Sequence, residues 1–566
     1  MQITDKSNLS DIFAERVQAT PSAPAYRQHD GSKWFTMTWG EVGREVARWQ
    51  AALKRDGMKP GDRVAMCLHN RIEWVLIDQA AIGLGLVTVP LYFDDRPENM
   101  AFCMNDAGVR LLVLEDGAQW TALKDHVKTI EHVVCVGGTI PKDPRVKKLA
   151  DWAPAGNHEL VRSRIDPKEL TTIVYTSGTT GRPKGVMLSH RNIVSNVLGA
   201  SKVVVLTPDD VAVSFLPMSH MFERTVGYYM DVYRGVQVAF ARSITLLGED
   251  LQTHKPTTLV SVPRVFERIW GAMQLALPPG SPKRNLFDKA VDIGWRRFKG
   301  EATLKDKLLW PILKTLVAKK LHERMGGRLR TISVGGAAFP QELARVFIGL
   351  GFNILQGYGL TETSPILTTN RPQDNDPFSV GRTIEGVELR CADTGELLAR
   401  GPNIMLGYWN NPEATKAAID ADGWFHTGDI ARIRDGRVYI TGRIKEIIVL
   451  SNGEKVPPDD AEQAIMGDTT FEHVMLIGEG RSHLGLLCAA KTEDLSDLCR
   501  RANTQLKDFP GYARIRYIAR VPGPWGLENG LLTPTLKLKR KEVERRFEKE
   551  IDAMYANPGP CEERKS

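Results

Sequence analysis

The densest set of reactive side chains is Tyr175-Thr-Ser-Gly-Thr-Thr-Gly-Arg-Pro-Lys-Gly-Val186, directly after the β-branched run Thr171–Val174. Thr176, Ser177, Thr179 and Thr180 bring hydroxyl donors. Gly178 and its neighbouring glycines let backbone N–H groups turn toward an anion, and Lys184 adds a point charge. Together these residue types describe a triphosphate cradle. Its spacing is not that of a P-loop, because Lys184 is followed by Gly185 where a P-loop carries a Mg²⁺-binding hydroxyl. Gly185–His190 reads as a second strand, so the loop joins two strands and lacks the helix N-terminus that a P-loop uses.

Such a loop needs a large scaffold, and 566 residues supply about four times a ~150-residue domain. Hydrophobic residues at 42% and charged residues at 25% are ordinary for globular proteins and exclude a disordered, collagen-like or disulfide-scaffold class. Apolar runs at 63–69, 87–93, 110–116, 131–138 and 171–177 alternate with longer amphipathic stretches, which predicts an α/β fold with much parallel sheet. After Ile440 the texture changes to a compact unit that opens with hairpin-like RVYITGR and EIIVLSNGEKV. We expect an N-terminal domain over 1–441 and a smaller C-terminal domain over 442–566.

The N-terminus has no apolar core of a secretory signal, and the most apolar stretch, Ala80–Phe93, is shorter than the ~20 residues of a membrane span. Seven scattered cysteines without a C-x-x-C pair suggest a reducing, cytoplasmic setting and no structural zinc. Charge is uneven: residues 283–330 hold 14 Lys+Arg against 5 Asp+Glu. Within them Leu308, Leu309, Ile312, Leu313, Leu316, Val317 and Leu321 recur at helical spacing opposite Lys305, Lys307, Lys314 and Lys319. Such a helix usually packs its apolar face on the core; the sharper reading is peripheral contact with an anionic membrane at its inner face. No aromatic-interleaved basic motif points to nucleic acid.

YTSGTTGRPKGV resembles the phosphate loop of the adenylate-forming superfamily, which includes acyl-CoA synthetases, peptide-synthetase adenylation domains and luciferases. Six further matches follow in the family's order: SVGGAAFP (333–340), QGYGLTET (356–363), GELLARGPNIMLGYW (395–409), WFHTGDIA (424–431), GRIKE (442–446) and TPTLKLKR (533–540). The resemblance covers roughly residues 10–550. It implies a large N-terminal domain of several parallel-rich subdomains and a small, mobile α+β C-terminal domain.

The resemblance also implies roles. Gly336 and Ala337 would admit an adenine, which Tyr358 and Gly359 would help to hold. Glu362, with Thr176, would serve Mg²⁺, while Thr361 contacts phosphate. Asp429 would accept the ribose hydroxyls, with Arg443 beside it. Lys537 aligns with the adenylation lysine, although Lys539 stands close by in the same basic run. A carboxylate is already ionised at neutral pH, so the obstacle to its attack on the α-phosphate is charge repulsion, which a lysine bridging both reactants relieves. Lys445 falls at the hinge about which such enzymes turn the C-terminal domain, and Gly453 on the loop that would face coenzyme A.

Three stretches, LPMSHMFER, SVPRVFERI and LTPTLKLKR, resemble the long-chain fatty acyl-CoA synthetase branch. His220 in the first looks like the histidine beside the substrate carboxylate. Thr225–Phe240, with Tyr228, Tyr229, Met230, Val232 and Tyr233, would line an apolar tunnel or form plain core. The expected reaction consumes ATP with Mg²⁺, a fatty acid and coenzyme A. Alternatives on the same scaffold are an acyl-AMP ligase that loads a carrier protein and a non-catalytic acyl-nucleotide sensor. Oligomeric state, a dimer included, is not readable.

Overall fold

The computed structural model describes residues 3–556 and 561, apart from 5, 177–182, 453, 508, 527 and 534–537. The chain divides into two compact units. One comprises Met1–Leu389, Leu398–His426 and Asp435–Arg437, the other Arg390–Leu397, Thr427–Arg434 and Val438–Ser566.

The first unit contains two large sheets. All five apolar runs enter the eight-stranded one, whose strand order is 407–408, 184–189, 170–176, 87–90, 63–67, 109–116, 132–137, 146–148. From strand 170–176 onward every described pairing is parallel, as expected for near-continuous Val/Ile/Leu runs covered on both faces. Strands 170–176 and 184–189 are antiparallel, so the phosphate loop does join two strands and not a strand to a helix. The nine-stranded sheet runs 382–383, 366–369, 354–359, 331–334, 258–261, 211–214, 237–240, 24–29, 34–38, parallel at its centre and antiparallel at both edges. Helix Ile72–Gly83, where the most apolar stretch begins, is buried along all its length but Glu73. Among the described residues no helix is long and apolar enough to cross a membrane.

The second unit has a core of Ile465, Leu476, Leu486 and Ile518 around strands 471–477, 484–490 and 515–520. The short hairpin Ile448–Val449 with Lys455–Val456 precedes it. Cys499 and Cys561 form a disulfide here, 62 residues apart in sequence and 5.6 Å between Cα atoms. This pair departs from the reducing setting that the scattered cysteines suggested, since pairing follows spatial approach and not sequence spacing.

Candidate active site

Thr176 ends one strand of the antiparallel pair and stands opposite Lys184, the first residue of the next. Ser177, Gly178, Thr179 and Thr180 lie outside the described residues. The two-residue strand Gly407–Tyr408 adds to the free edge of 184–189, with Tyr408 opposite Val186. Trp409 locks it there, donating its backbone N–H to Gly185 O at 2.7 Å and its indole N–H to Asp106 O at 2.9 Å. Lys184 Nζ therefore lies 5.0 Å from the centre of the Tyr408 ring, within cation–π range. The Tyr408 hydroxyl in turn donates to Glu362 Oε1 at 2.9 Å. Burial and the Glu362 carboxylate push the phenol pKa up, so it remains a donor.

Glu362 sits in the short 3₁₀ turn Thr361–Thr363, just after strand Ile354–Gly359. Only glycine fits at 359, because a Cβ there would lie 1.7 Å from Pro365 O. Asn196 holds the turn from helix His190–Ser201: its amide donates to Ile366 O at 2.7 Å, and its oxygen accepts from Ile366 N at 3.1 Å. Asn403 donates to Thr363 O at 2.9 Å, and Met405 N donates to Glu362 O at 2.9 Å. This helix directly follows strand 184–189, so one strand–helix segment sets both Lys184 and the turn carrying Thr361 and Glu362.

Strands 331–334 and 354–359 are parallel neighbours with Val334 opposite Gln356. Gly336 and Ala337 thus leave the sheet beside Tyr358 and Gly359, at the carboxyl ends where α/β sheets bind ligands. Gly336 takes φ +82°, which favours glycine, and Gly336 and Ala337 are both exposed.

His220 caps the short helix Met221–Arg224, and its Nδ1 accepts from Phe222 N at 3.2 Å, which leaves the proton of the neutral ring on Nε2. Asn70 braces the preceding loop, donating to Leu216 O at 2.6 Å and accepting from Met218 N at 3.0 Å. Two of the tyrosines after it, Tyr228 and Tyr229, pack in the core. The chain from Thr225 to Tyr229 is a π-helical turn in which Tyr228 and Tyr229 are buried and donate to Asp78 Oδ2 at 3.1 and 2.9 Å. Arg224 pairs with the same Asp78 and reaches Thr88 and Thr172 at 2.8 Å each, tying this segment to the eight-stranded sheet. Val226, Gly227 and Met230 do line a small cavity, together with Val204, Leu206 and the carboxyls of Glu223 and Asp231. Burial pushes the Glu223 carboxyl up to about 8, and burial also raises Asp231.

In the second unit Asp429 is 3% exposed and its Oδ1 meets Arg443 Nε at 3.0 Å. Asp429 N also donates to Thr427 Oγ1 at 3.1 Å. Glu446 lies 3.9 Å from Arg443 Nη1, and Lys445 falls between them in the turn Ile444–Glu446. Gly453 and Lys537 lie outside the described residues. Arg540, three positions beyond Lys537, is not part of a solvated basic run. It binds Glu462 Oε1 at 2.7 Å and Leu476 O at 2.7 Å, and Lys539 N donates to Leu531 O at 2.9 Å.

No group of three or more His, Cys, Asp or Glu among the described residues gathers to hold a metal. The donor set fits Mg²⁺ nonetheless, since that ion commonly takes one or two carboxylates plus substrate phosphates and water. Glu362 provides a carboxylate oriented by a hydroxyl donor, and Thr176 a hydroxyl at the mouth of the phosphate loop. Tyr408, Asn196, Asn403 and Asn70 were not singled out in the sequence. Tyr408 stands in the quoted GELLARGPNIMLGYW stretch, but nothing local ties it to Glu362, 46 residues earlier.

Comparison with known proteins shows the family. Residues 13–409 match the AMP-binding enzyme family and residues 445–558 the AMP-binding enzyme C-terminal domain. The chain is 32% identical to the peroxisomal long chain acyl-CoA synthetase 7 of Arabidopsis thaliana, across 92% of this chain and 81% of that one. It is 30% identical to the long-chain-fatty-acid--CoA ligase FadD15 of Mycobacterium bovis, across 98% of both. Among solved structures, the A domain of carboxylic acid reductase from Segniliparus rugosus, in complex with AMP and a co-purified carboxylic acid, has the same fold. The TM-score is 0.79 at 20% identity, covering 97% of this chain and 94% of that one. With family matches over both parts of the chain and long-chain acyl-CoA synthetases among its relatives at 30% and 32% identity, this protein belongs to the AMP-binding, adenylate-forming enzymes, in their long-chain fatty acyl-CoA synthetase branch.

Proposed function

We propose that this protein is an AMP-forming acid–thiol ligase that activates a long-chain fatty acid with ATP and passes the acyl group to coenzyme A. The observation that carries the reading is the Lys184–Tyr408–Glu362 contact beside the phosphate loop, within a chain related along nearly its whole length to long-chain acyl-CoA synthetases.

In the first half-reaction a carboxylate oxygen attacks the α-phosphorus, the bond to the bridging oxygen breaks, and pyrophosphate leaves with that electron pair. Thr176, Ser177, Gly178, Thr179, Thr180 and Lys184 receive the phosphates, Thr361 donates to one of them, and Glu362 is the carboxylate for the metal. Mg²⁺, when bound, neutralises charge on the departing pyrophosphate. Gly336, Ala337, Tyr358 and Gly359 take the adenine, Asp429 the ribose hydroxyls and Arg443 the adjoining phosphate side. His220 orients the acid, and Lys537 bridges the two anions as they approach.

In the second half-reaction the thiol gives up its proton, sulfur attacks the acyl carbon and AMP departs. The domain from Gly442 onward turns about Lys445, withdrawing Lys537 and bringing the Gly453 loop to the pantetheine. We place the chemistry at a membrane surface, a location supported by the lysine-flanked apolar helix face of residues 304–316. Pyrophosphate release across acids of increasing length, with and without coenzyme A, tests the reading. Release that peaks with long acids and yields thioester supports it; ATP cleavage to ADP, or thioester formation only on a carrier protein, overturns it.

A further inference from the structure

One helix of the lysine-rich segment is apolar on two faces and buries only one. Leu304–Leu313 is α-helical, Lys314–Ala318 forms a π turn and Lys319–Arg324 returns to α-helix. The inner face is in use: Leu313 is buried, and Leu309, Trp310 and Val317 pack with it against Ala290 and Ile293 of helix Pro282–Phe298. The outer face is not. Leu304, Leu308, Ile312 and Leu316 are 80%, 78%, 57% and 51% exposed. Steps of four place them on one side of the helix, and the wider π turn offsets the sideways drift such steps accumulate.

Charge says what kind of surface covers this row. Lys305, Lys307, Lys314, Lys319 and Lys320 surround it, all exposed. Every acid of the segment is already engaged: Asp288 with Arg284, Asp292 with Arg345, Glu301 with Lys299, Asp306 with Arg296 and Glu323 with Lys319. Among the described residues no ion pair engages Lys305, Lys307, Lys314 or Lys320. A second copy of the chain docked by two-fold symmetry on this face would bring lysine against lysine. An anionic surface with an apolar layer beneath it meets both features.

We propose that the helix face of Leu304, Leu308, Ile312 and Leu316 docks on an anionic phospholipid bilayer. The helix lies in the interfacial plane, its aliphatic side chains at the acyl boundary and its lysines among the phosphates. This deepens the location given above by naming the face and its lipid chemistry. It does not depend on which acid is activated, and it sets the enzyme where a poorly soluble acid is most concentrated.

The test is co-sedimentation of the full chain with vesicles of phosphatidylcholine and phosphatidylglycerol. Binding is expected at low salt, with affinity at least about tenfold weaker on pure phosphatidylcholine or at about 0.5 M salt. Leu308→Glu with Ile312→Glu, and separately Lys305→Glu, Lys307→Glu and Lys314→Glu together, are each expected to weaken binding at least about tenfold. Both variants should keep native melting and native pyrophosphate release with a detergent-solubilised fatty acid. Unchanged vesicle binding by both variants overturns the proposal, as does absence of binding by the native chain at low salt. A native dimer in analytical ultracentrifugation that the glutamate pair converts to monomer, without vesicle binding, assigns the face to a second copy and overturns it too. Absence of pyrophosphate release from the native chain instead sinks the proposed activity and leaves the vesicle result decisive for the surface.

Discussion

The Tyr408 hydroxyl donates to Glu362 Oε1 at 2.9 Å while the same ring lies 5.0 Å from Lys184 Nζ. One side chain thus links the lysine expected at the phosphates to the carboxylate expected at the metal. Loss of a hydrogen bond that orients a metal-ligating carboxylate commonly costs about 10–100-fold in metal affinity. Tyr408→Phe keeps the ring beneath Lys184 and removes only that bond. It should raise the Mg²⁺ concentration for half-maximal activity about tenfold or more and weaken calorimetric binding of Mg·ATP without acid present, while KM for the fatty acid stays near native. Equal loss in all three would mean a general structural role.

Asn196 makes two-way hydrogen bonds to Ile366 from a helix continuous with the Lys184 strand. Asn196→Ala removes the side-chain acceptor of Ile366 N and leaves its carbonyl only the Asn403 amide at 3.4 Å, and an unpaired buried group costs about 1–3 kcal/mol. Melting should fall by several degrees and ATP affinity should drop. Asn196→Asp, which sets a buried carboxylate oxygen against the Ile366 and Thr363 carbonyls, should destabilise at least as much. A variant as stable as native would show that the Thr361–Glu362 turn needs no such brace.

The two half-reactions should separate by residue. Lys537→Ala is expected to slow acyl-AMP formation by about 10²–10³-fold while thioester formation from supplied acyl-AMP changes only a few-fold. Lys445→Pro, which restricts the backbone at the expected hinge, should do the reverse. Single-turnover assays of each half-reaction check both, and parallel losses in either variant would contradict the assignments.

Glu223 gives a pH prediction. Burial raises its carboxyl from 4.5 to about 8, and only the Ser214 hydroxyl, at 2.6 Å, opposes that. The folded chain holds the proton longer than the unfolded chain, so this group's contribution to stability is complete below about pH 4.5. It declines as pH rises and is gone above about pH 8. Glu223→Gln is neutral at every pH, so its melting temperature should decline less than that of the native protein between pH 6 and pH 9, by a few degrees or more. Superimposable profiles would show that Glu223 is ionised in the folded state.

Much of this protein was legible as a string of residues. The apolar runs at 63–69, 110–116 and 171–177, rich in β-branched and aliphatic residues, became the strands Arg63–Cys67, Val109–Asp116 and Leu170–Thr176, an outcome that depends on near neighbours. The strand–loop–strand around the expected phosphate loop was legible for the same reason, because its hydroxyls, glycines and lysine lie within a dozen positions. Tertiary structure alone decided the rest. That Tyr228 and Tyr229 serve Asp78, about 150 positions away, depends on which elements the π turn packs against. Tyr408 reaches Glu362 only because a two-residue strand pairs with the edge at Val186. Spacing made Leu308, Leu309, Ile312, Leu313, Leu316 and Val317 one apolar face; the structure divides it into an inner side at Leu309, Leu313 and Val317 and an exposed side at Leu308, Ile312 and Leu316. Which face stays uncovered is a property of the neighbouring helix, and periodicity carries no information about neighbours.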